Sequence, residues 1–322
     1  MDSTRKIAAV VNPHAAGGKT AKRWPQIARE LEQRVGPVIA RFTERQGHGV
    51  QLTRELLNEG FNLVVGVGGD GTFNEVANGF LESDDLVRPG ALMGILPAGT
   101  GGDFQRMFGF DPQRSAEHAL DVLAAGEPRL IDVGKAKFVA LDGRTCERHF
   151  VNLVSFGMGG LVAERARNSP GVFGGRTAFL WATCRVLLGY RGRTVQLIAD
   201  GGGPAEYRIT NVAVGNGQFH GGGMHPCPAA AMDDGILEVT VIEYMNMLRL
   251  IRDLRILYSG EIYRHPKVHH LRGIRIEACS EKPTLIEVDG EPIGRLPLEV
   301  TLLPGKLPML MPLRNPALGG HQ

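Results

Sequence analysis

The segment Val64-Val65-Gly66-Val67-Gly68-Gly69-Asp70-Gly71-Thr72-Phe73-Asn74-Glu75 reads as an apolar strand that ends in clustered glycines and reopens as a helix. Glycines at such a junction let backbone N–H groups close on an anion, and the following helix adds its positive N-terminal end. The glycine cluster by itself also fits an ordinary tight strand-to-helix turn. Gly66, Gly68 and Gly71 satisfy G-x-G-x-x-G, but a dinucleotide fingerprint follows the first strand and pairs with an acid about twenty residues on. Here the glycines follow the third expected strand, and Asp84 and Asp85 fall in a loop. A protein kinase fits less well still, because V-A-I-K, H-R-D and D-F-G are absent.

On either side, apolar runs alternate with helical periods: Ile7–Val11, Ala21–Val35, Val38–Phe42, Val50–Leu57, Leu63–Val67, Phe73–Leu81, Leu92–Leu96 and Ala116–Ala124. Uniformly apolar strands separated by helices predict a doubly wound parallel sheet covered on both faces, with ligands beyond the carboxyl ends of its strands. Pro13–Thr20 ends in Gly18-Lys19-Thr20 like a P-loop, yet proline stands where the first glycine belongs. It has no N–H to give, so the Walker reading fails. A third loop, Leu96-Pro97-Ala98-Gly99-Thr100-Gly101-Gly102-Asp103-Phe104, again joins strand to helix through glycines. Three such loops in one domain suit a polyphosphate, with Thr72 and Thr100 as hydroxyl donors and Asp70 and Asp103 as acids for Mg2+.

Beyond about Leu130 the texture changes to short strand-like runs: Phe150–Phe156, Val195–Ala199, Ile209–Val214, Leu237–Ile242, Ile274–Ala278, Thr284–Val288 and Leu298–Leu303. These predict a mainly antiparallel β-sandwich or barrel, interrupted by helical stretches at Thr177–Leu188 and Met247–Ser259. The 322 residues, with a net charge of +2, suit two domains and no dedicated nucleic-acid surface. Glycine reaches 44 residues without a repeat, so the excess belongs to turns and loops. Cys146, Cys184, Cys227 and Cys279 form no C-x-x-C pair and read as reduced, structural thiols. With no signal-peptide pattern and no apolar run long enough to span a bilayer, a cytoplasmic protein with at most peripheral membrane contact is expected.

Taken together, Asn12-Pro13, Gly68-Gly69-Asp70-Gly71-Thr72 with Asn74-Glu75, Pro97-Ala98-Gly99-Thr100 with Asp103-Phe104, Asp233-Asp234-Gly235 and Asp289-Gly290-Glu291 resemble the diacylglycerol kinase catalytic family, especially its soluble bacterial lipid kinases. The resemblance implies a nucleotide-binding α/β domain over 1–130, to which the tail 304–322 returns, and a β-sandwich lipid-substrate domain over 131–303, with the active site in the cleft between them. It implies ATP bound by Asn12, Thr43, Gly68, Gly69, Asp70, Gly71, Thr72, Asn74 and Thr100, and a lipid alcohol as acceptor. Asp70 would orient Mg·ATP and Glu291 would serve as general base. It further implies a second, structural Mg2+ or Ca2+ held by Asp234 and the carbonyls of Ala231 and Ile236. Gly102 departs from the family's usual asparagine, and a solvated hairpin turn explains Asp289-Gly290 equally well from the residues alone. An NAD kinase and a catalytically silent regulator are the rival readings.

Between Glu164 and Asp200 stand Arg165, Arg167, Arg176, Arg185, Arg191 and Arg193 without an acid. In a second basic stretch Arg249, Arg252 and Arg255 interleave with Leu248, Ile251 and Leu254. Either can dock on anionic lipid, and either can be a solvated helix face that covers the sandwich. His265, His269 and His270 lack the further ligands a zinc site needs.

Overall fold

The computed structural model describes residues 5–98, 102–110, 114–167, 186 and 189–313. In chain order its elements are β1 (Ile7–Val11), α1 (Ala15–Val35), β2 (Val38–Phe42), α2 (His48–Asn58), β3 (Leu63–Gly68), α3 (Asp70–Phe80), β4 (Leu81–Glu82), β5 (Asp85–Leu86), β6 (Leu92–Pro97), α4 (Asp103–Arg106) and α5 (Ser115–Ala125). There follow β7 (Glu127–Ala140), β8 (Thr145–Phe150), β9 (Leu153–Gly157), α6 (Met158–Arg167), β10 (Arg193–Ala199), β11 (Ala205–Gly215), β12 (Leu237–Glu243), α7 (Met247–Arg252) and α8 (Ile256–Ser259). The chain closes with β13 (Val268–Gly273), β14 (Arg275–Cys279), β15 (Leu285–Val288) and β16 (Glu291–Met311). It divides into two compact units, the first comprising Met1–Gly99, Phe108–Ile131 and Leu307–Gln322, the second Thr100–Met107 and Asp132–Lys306.

The first unit is the expected parallel α/β layer structure. Its strands run in the order β2-β1-β3-β6, and the end of β16 lies beside β6, with Met309 opposite Met93. Every residue of β1 and β3 is buried, which is why their sequences are apolar throughout rather than alternating. Helix α1 packs beside α5 and α2 beside α3. The strand order reverses between β1 and β3, and at such a switch point the loops leaving two adjacent strands part to leave a crevice. Asp84 and Asp85, read as loop residues, form the tip of the short β4–β5 hairpin, with Asp85 opening β5.

The second unit is antiparallel. Strand β11 pairs with β10, β10 with β14, β14 with β16, β16 with β15, β15 with β9, and β9 returns to β11, so six strands close on themselves. Closure removes edges within this ring, while β12 and then β13 extend the sheet outward from β11. Phe150, Phe156, Val212, Val239, Ile286 and Val300 belong to its buried core. The expected strand Phe150–Phe156 is interrupted: β8 ends at Phe150 and β9 begins at Leu153, because the chain bends at Val151-Asn152 around a carboxylate described below. The expected helix Met247–Ser259 splits into α7 and α8. The expected helix Thr177–Leu188 lies outside the described residues apart from Val186.

Candidate functional site

In the first unit the nucleotide candidates collect at the strand ends. Asn12 follows β1 and its N–H donates to the Val67 carbonyl of β3. Its side-chain amide donates to the Thr72 hydroxyl (3.2 Å), while its Oδ1 accepts the His14 N–H (3.0 Å). One asparagine therefore ties together the two loops at the switch point. Thr43 follows β2, is buried, and donates its N–H to the Val11 carbonyl (2.9 Å). Gly68 lies against Thr72 so closely that a Cβ would stand 2.4 Å from its hydroxyl oxygen. Glycine is needed here for approach, and Thr72 is held down at the mouth of the loop. Asp70 is the first residue of α3, where the helix dipole favours negative charge. Asn74 is fully buried on α3, and its Oδ1 accepts from Asn78. The buried Glu75 takes the N–H groups of Gly47 (2.7 Å) and Gly49 (2.8 Å), fixing the loop that leads into α2. Thr20 spends its hydroxyl on the Ala15 and Ala98 carbonyls, which suits the failure of the Walker reading. Thr100 lies outside the described residues.

In the second unit a chain of buried polar groups surrounds the acids singled out by motif. Asp289 and Gly290, both at positive φ (46° and 84°), turn β15 into β16 as a two-residue hairpin. The Asp289 carboxylate does not project from this turn. It accepts the N–H groups of Val151 (3.2 Å), Asn152 (3.2 Å) and Leu153 (2.9 Å), and so makes the bend between β8 and β9. Glu291, two residues on, forms an ion pair with Arg148 (2.7 Å). Asp103 is buried and accepts the Gly222 N–H (2.8 Å), which pins the Gly221–Gly223 turn. Gly102 has φ 122°, and a Cβ there would meet the Gln105 amide at 1.9 Å, so no side chain replaces the family's asparagine on this backbone.

Sequence reasoning missed the centre of this network. His220 Nε2 pairs with Glu287 Oε1 at 2.8 Å, and the Ser155 hydroxyl donates to the same oxygen at 2.6 Å. Burial alone would push the His220 imidazole down, but Glu287, Asp103 and Asp289 outweigh it and hold it up at about 9. Burial pushes the Glu287 carboxyl up, and the charge and N–H of His220 with the Ser155 hydroxyl more than reverse that, leaving it lowered. A visible signal existed: Glu287 is an acid inside the apolar run Leu285-Ile286-Glu287-Val288.

At the Asp233-Asp234-Gly235 turn, Asp234 Oδ1 accepts the Ile236 N–H (3.2 Å). Burial raises the Asp234 carboxyl, and the Asp132 and Glu238 carboxylates add to the rise. Asp132, also unmarked in the sequence reading, is buried, and its two oxygens accept from Gly235 (2.8 Å) and Gly305 (2.6 Å) while its N–H reaches the Met232 carbonyl (2.6 Å). Among the described residues no group of three His, Cys, Asp or Glu side chains converges as for a metal ion. His265, His269 and His270 each face a carboxylate, from Asp253, Glu243 and Glu238 in turn.

Residues 6–136 match the profile of the diacylglycerol kinase catalytic domain, and residues 152–311 that of the YegS C-terminal NAD kinase beta sandwich-like domain. A Chromohalobacter salexigens protein named "Probable lipid kinase YegS-like" is 31% identical over 91% of this chain and 92% of its own. A Mycobacterium tuberculosis protein named "Diacylglycerol kinase" is 26% identical over 95% of both chains. The crystal structure of a diacylglycerol kinase from Bacillus anthracis superposes with a TM-score of 0.68, covering 99% of this chain and 100% of that one at 23% identity. Yeast NADH kinase superposes at 0.50 with 12% identity, covering 94% and 82%, a likeness of fold alone.

Proposed function

The chain belongs to the diacylglycerol kinase-like lipid kinase family, and from that premise we propose that it transfers the γ-phosphoryl group of ATP to the hydroxyl of a glycerolipid or sphingolipid, diacylglycerol first among them. The observation that carries this reading is the family match over 6–136 together with the Asn12–Thr72 hydrogen bond, which ties the Gly-Gly-Asp-Gly-Thr loop to the loop after β1 at the switch point. Phosphoryl transfer asks chiefly for positioning and charge neutralisation. Gly68–Thr72 and Thr100, with Asn12 and Thr43, cradle the phosphates in this reading, and Asp70 orients the nucleotide with its Mg2+. Glu291 accepts the hydroxyl proton of the lipid, whose oxygen is a weak nucleophile until that proton is taken. Arg148 beside it holds the carboxylate in place.

A structural divalent ion would be held by Asp234 with the Ala231 and Ile236 carbonyls, and oxygen ligands of this kind suit Mg2+ or Ca2+. The Asp234 carboxyl, raised chiefly by burial and further by Asp132 and Glu238, fits such an ion, because a cation there would offset the cost of its buried charge. When bound, it would supply charge neutralisation to this turn.

The test is transfer of labelled γ-phosphate from Mg·ATP to micelles of diacylglycerol, monoacylglycerol, phosphatidylglycerol, ceramide or sphingosine, with NAD as a further acceptor. Label is expected in one lipid, and Glu291→Gln is expected to lower kcat by about 10²- to 10⁴-fold with the fold intact. Label in NAD alone would replace the lipid acceptor with a dinucleotide. Near-native turnover by Glu291→Gln would remove the base assignment.

A further inference from the structure

The basic stretch around Arg249–Arg255 carries a row of large apolar side chains into solvent. Met247, Leu248, Ile251, Leu254 and Tyr258 are 36%, 77%, 54%, 44% and 53% exposed. These five lie within twelve consecutive positions, yet they make up five of the eleven large exposed hydrophobic side chains among the described residues. Apolar side chains crowded on one short surface segment mark an interaction surface.

The segment is also well anchored. Leu250 points inward and is buried with Ile242, Met245 and Ile262, while Leu257 packs against the same cluster. Asn246 caps α7 by accepting the Arg249 N–H (3.0 Å). Asp253, between α7 and α8, is held by Arg252 (2.8 Å), Arg249 (3.6 Å) and His265 (3.2 Å). The outward apolar row is therefore presented by a fixed base rather than left over from a frayed helix.

Its charge decides the partner. Between Asn246 and Gly260 three arginines stand against one aspartate. Arg252 and Arg255 are exposed beside Leu248, Ile251 and Leu254. An apolar row flanked by arginines is complementary to an anionic bilayer, which takes the side chains into its interfacial region and the guanidinium groups against its phosphates. The described helices include none long and apolar enough to cross a membrane, so the contact this segment can make lies in the interface plane. We propose that α7 and α8, through Met247–Tyr258, form the face on which this protein docks to anionic lipid membranes. The choice of a bilayer over a protein partner rests in part on the lipid-kinase reading, since an acyl-chain alcohol resides in a membrane.

The experiment separates the two claims. Full-length protein is floated with phosphatidylcholine vesicles with and without phosphatidylserine, in the absence of ATP and of any acceptor lipid. Binding is expected only with phosphatidylserine and should fall as salt is raised. Leu248→Ser with Ile251→Ser should weaken it by at least about tenfold. Arg252→Ala with Arg255→Ala should weaken it by about fivefold per arginine at low salt. All four positions are exposed, and unchanged thermal unfolding would show that the variants fold. Phosphorylation of dispersed short-chain diacylglycerol should be unaffected in these variants, whereas phosphorylation of diacylglycerol in vesicles should fall with binding. Equal flotation of the variants and the native chain would overturn the proposal. So would a dimer that the Leu248→Ser, Ile251→Ser pair dissolves without changing flotation, because the occupant would then be a second copy. If vesicle binding behaves as stated while no lipid is phosphorylated, the docking face stands and the kinase reading fails.

Discussion

His220 and Glu287 form the most consequential pair that no motif announced. Glu287 is buried and His220 is only partly exposed, so each would be costly to ionise alone and their mutual charge sustains both. The sign of the pH dependence follows. His220, raised to about 9 from an ordinary 6.5, contributes stability that is fully present below pH 6.5 and lost as pH rises through 9. Glu287, lowered, contributes stability that is present above pH 4.5 and lost as pH falls through its folded value. His220→Gln should therefore cost about 3 kcal/mol near pH 6 in urea unfolding, because it strands a buried carboxylate. That cost should shrink toward pH 9, and adding Glu287→Gln should recover part of it. A penalty that stays level from pH 6 to pH 9 would show that the pair is not ionised.

The loop between β3 and α3 shows what sequence can and cannot reveal about an element. Its glycines, its place after an apolar strand and its helix start were all legible, because strand burial and backbone approach leave a mark in residue type. What the pattern hid was the partner: Gly68 is required by the Thr72 side chain, which Asn12 holds from another loop sixty residues away. Gly68→Ala should cost about 2 kcal/mol in unfolding and lower affinity for ATP, since Thr72 must move. Unaltered stability would mean that the loop yields freely. The Asp289-Gly290 hairpin shows the opposite failure. The turn was readable as a turn, yet its carboxylate serves three N–H groups at a bend that the apolar run Phe150–Phe156 made look like continuous strand. Asp132, likewise, stands between Ile131 and Val133 and reads as one odd letter in a strand until Gly235 and Gly305 are brought to it. Local pattern carries periodicity, whereas long-range hydrogen bonds leave only an isolated polar residue in an apolar run.

At the scale of the molecule, both layer types were legible, because parallel covered strands and short antiparallel ones differ in composition. Closure was one of the two forms expected of the second unit, but which six strands close was not legible, since pairing partners are set by topology rather than by any one strand's sequence. The last strand links the two units in a way that can be tested. Leu307, Met309, Leu310 and Met311 are buried in the first unit, with Met309 opposite Met93. Burial of four such side chains is worth on the order of 8 kcal/mol, comparable to the whole stability of a domain. Removal of residues 307–322 should abolish cooperative unfolding of the first unit, as read by near-ultraviolet circular dichroism, and a soluble, cooperatively folding product would contradict this. The polypeptide passes from one unit to the other at 99, 107, 131 and 306. On the ribosome, therefore, β1, β2, β3 and β6 emerge early but wait beside an unfilled sheet edge until the whole of the second unit and then Leu307–Met311 have been synthesised.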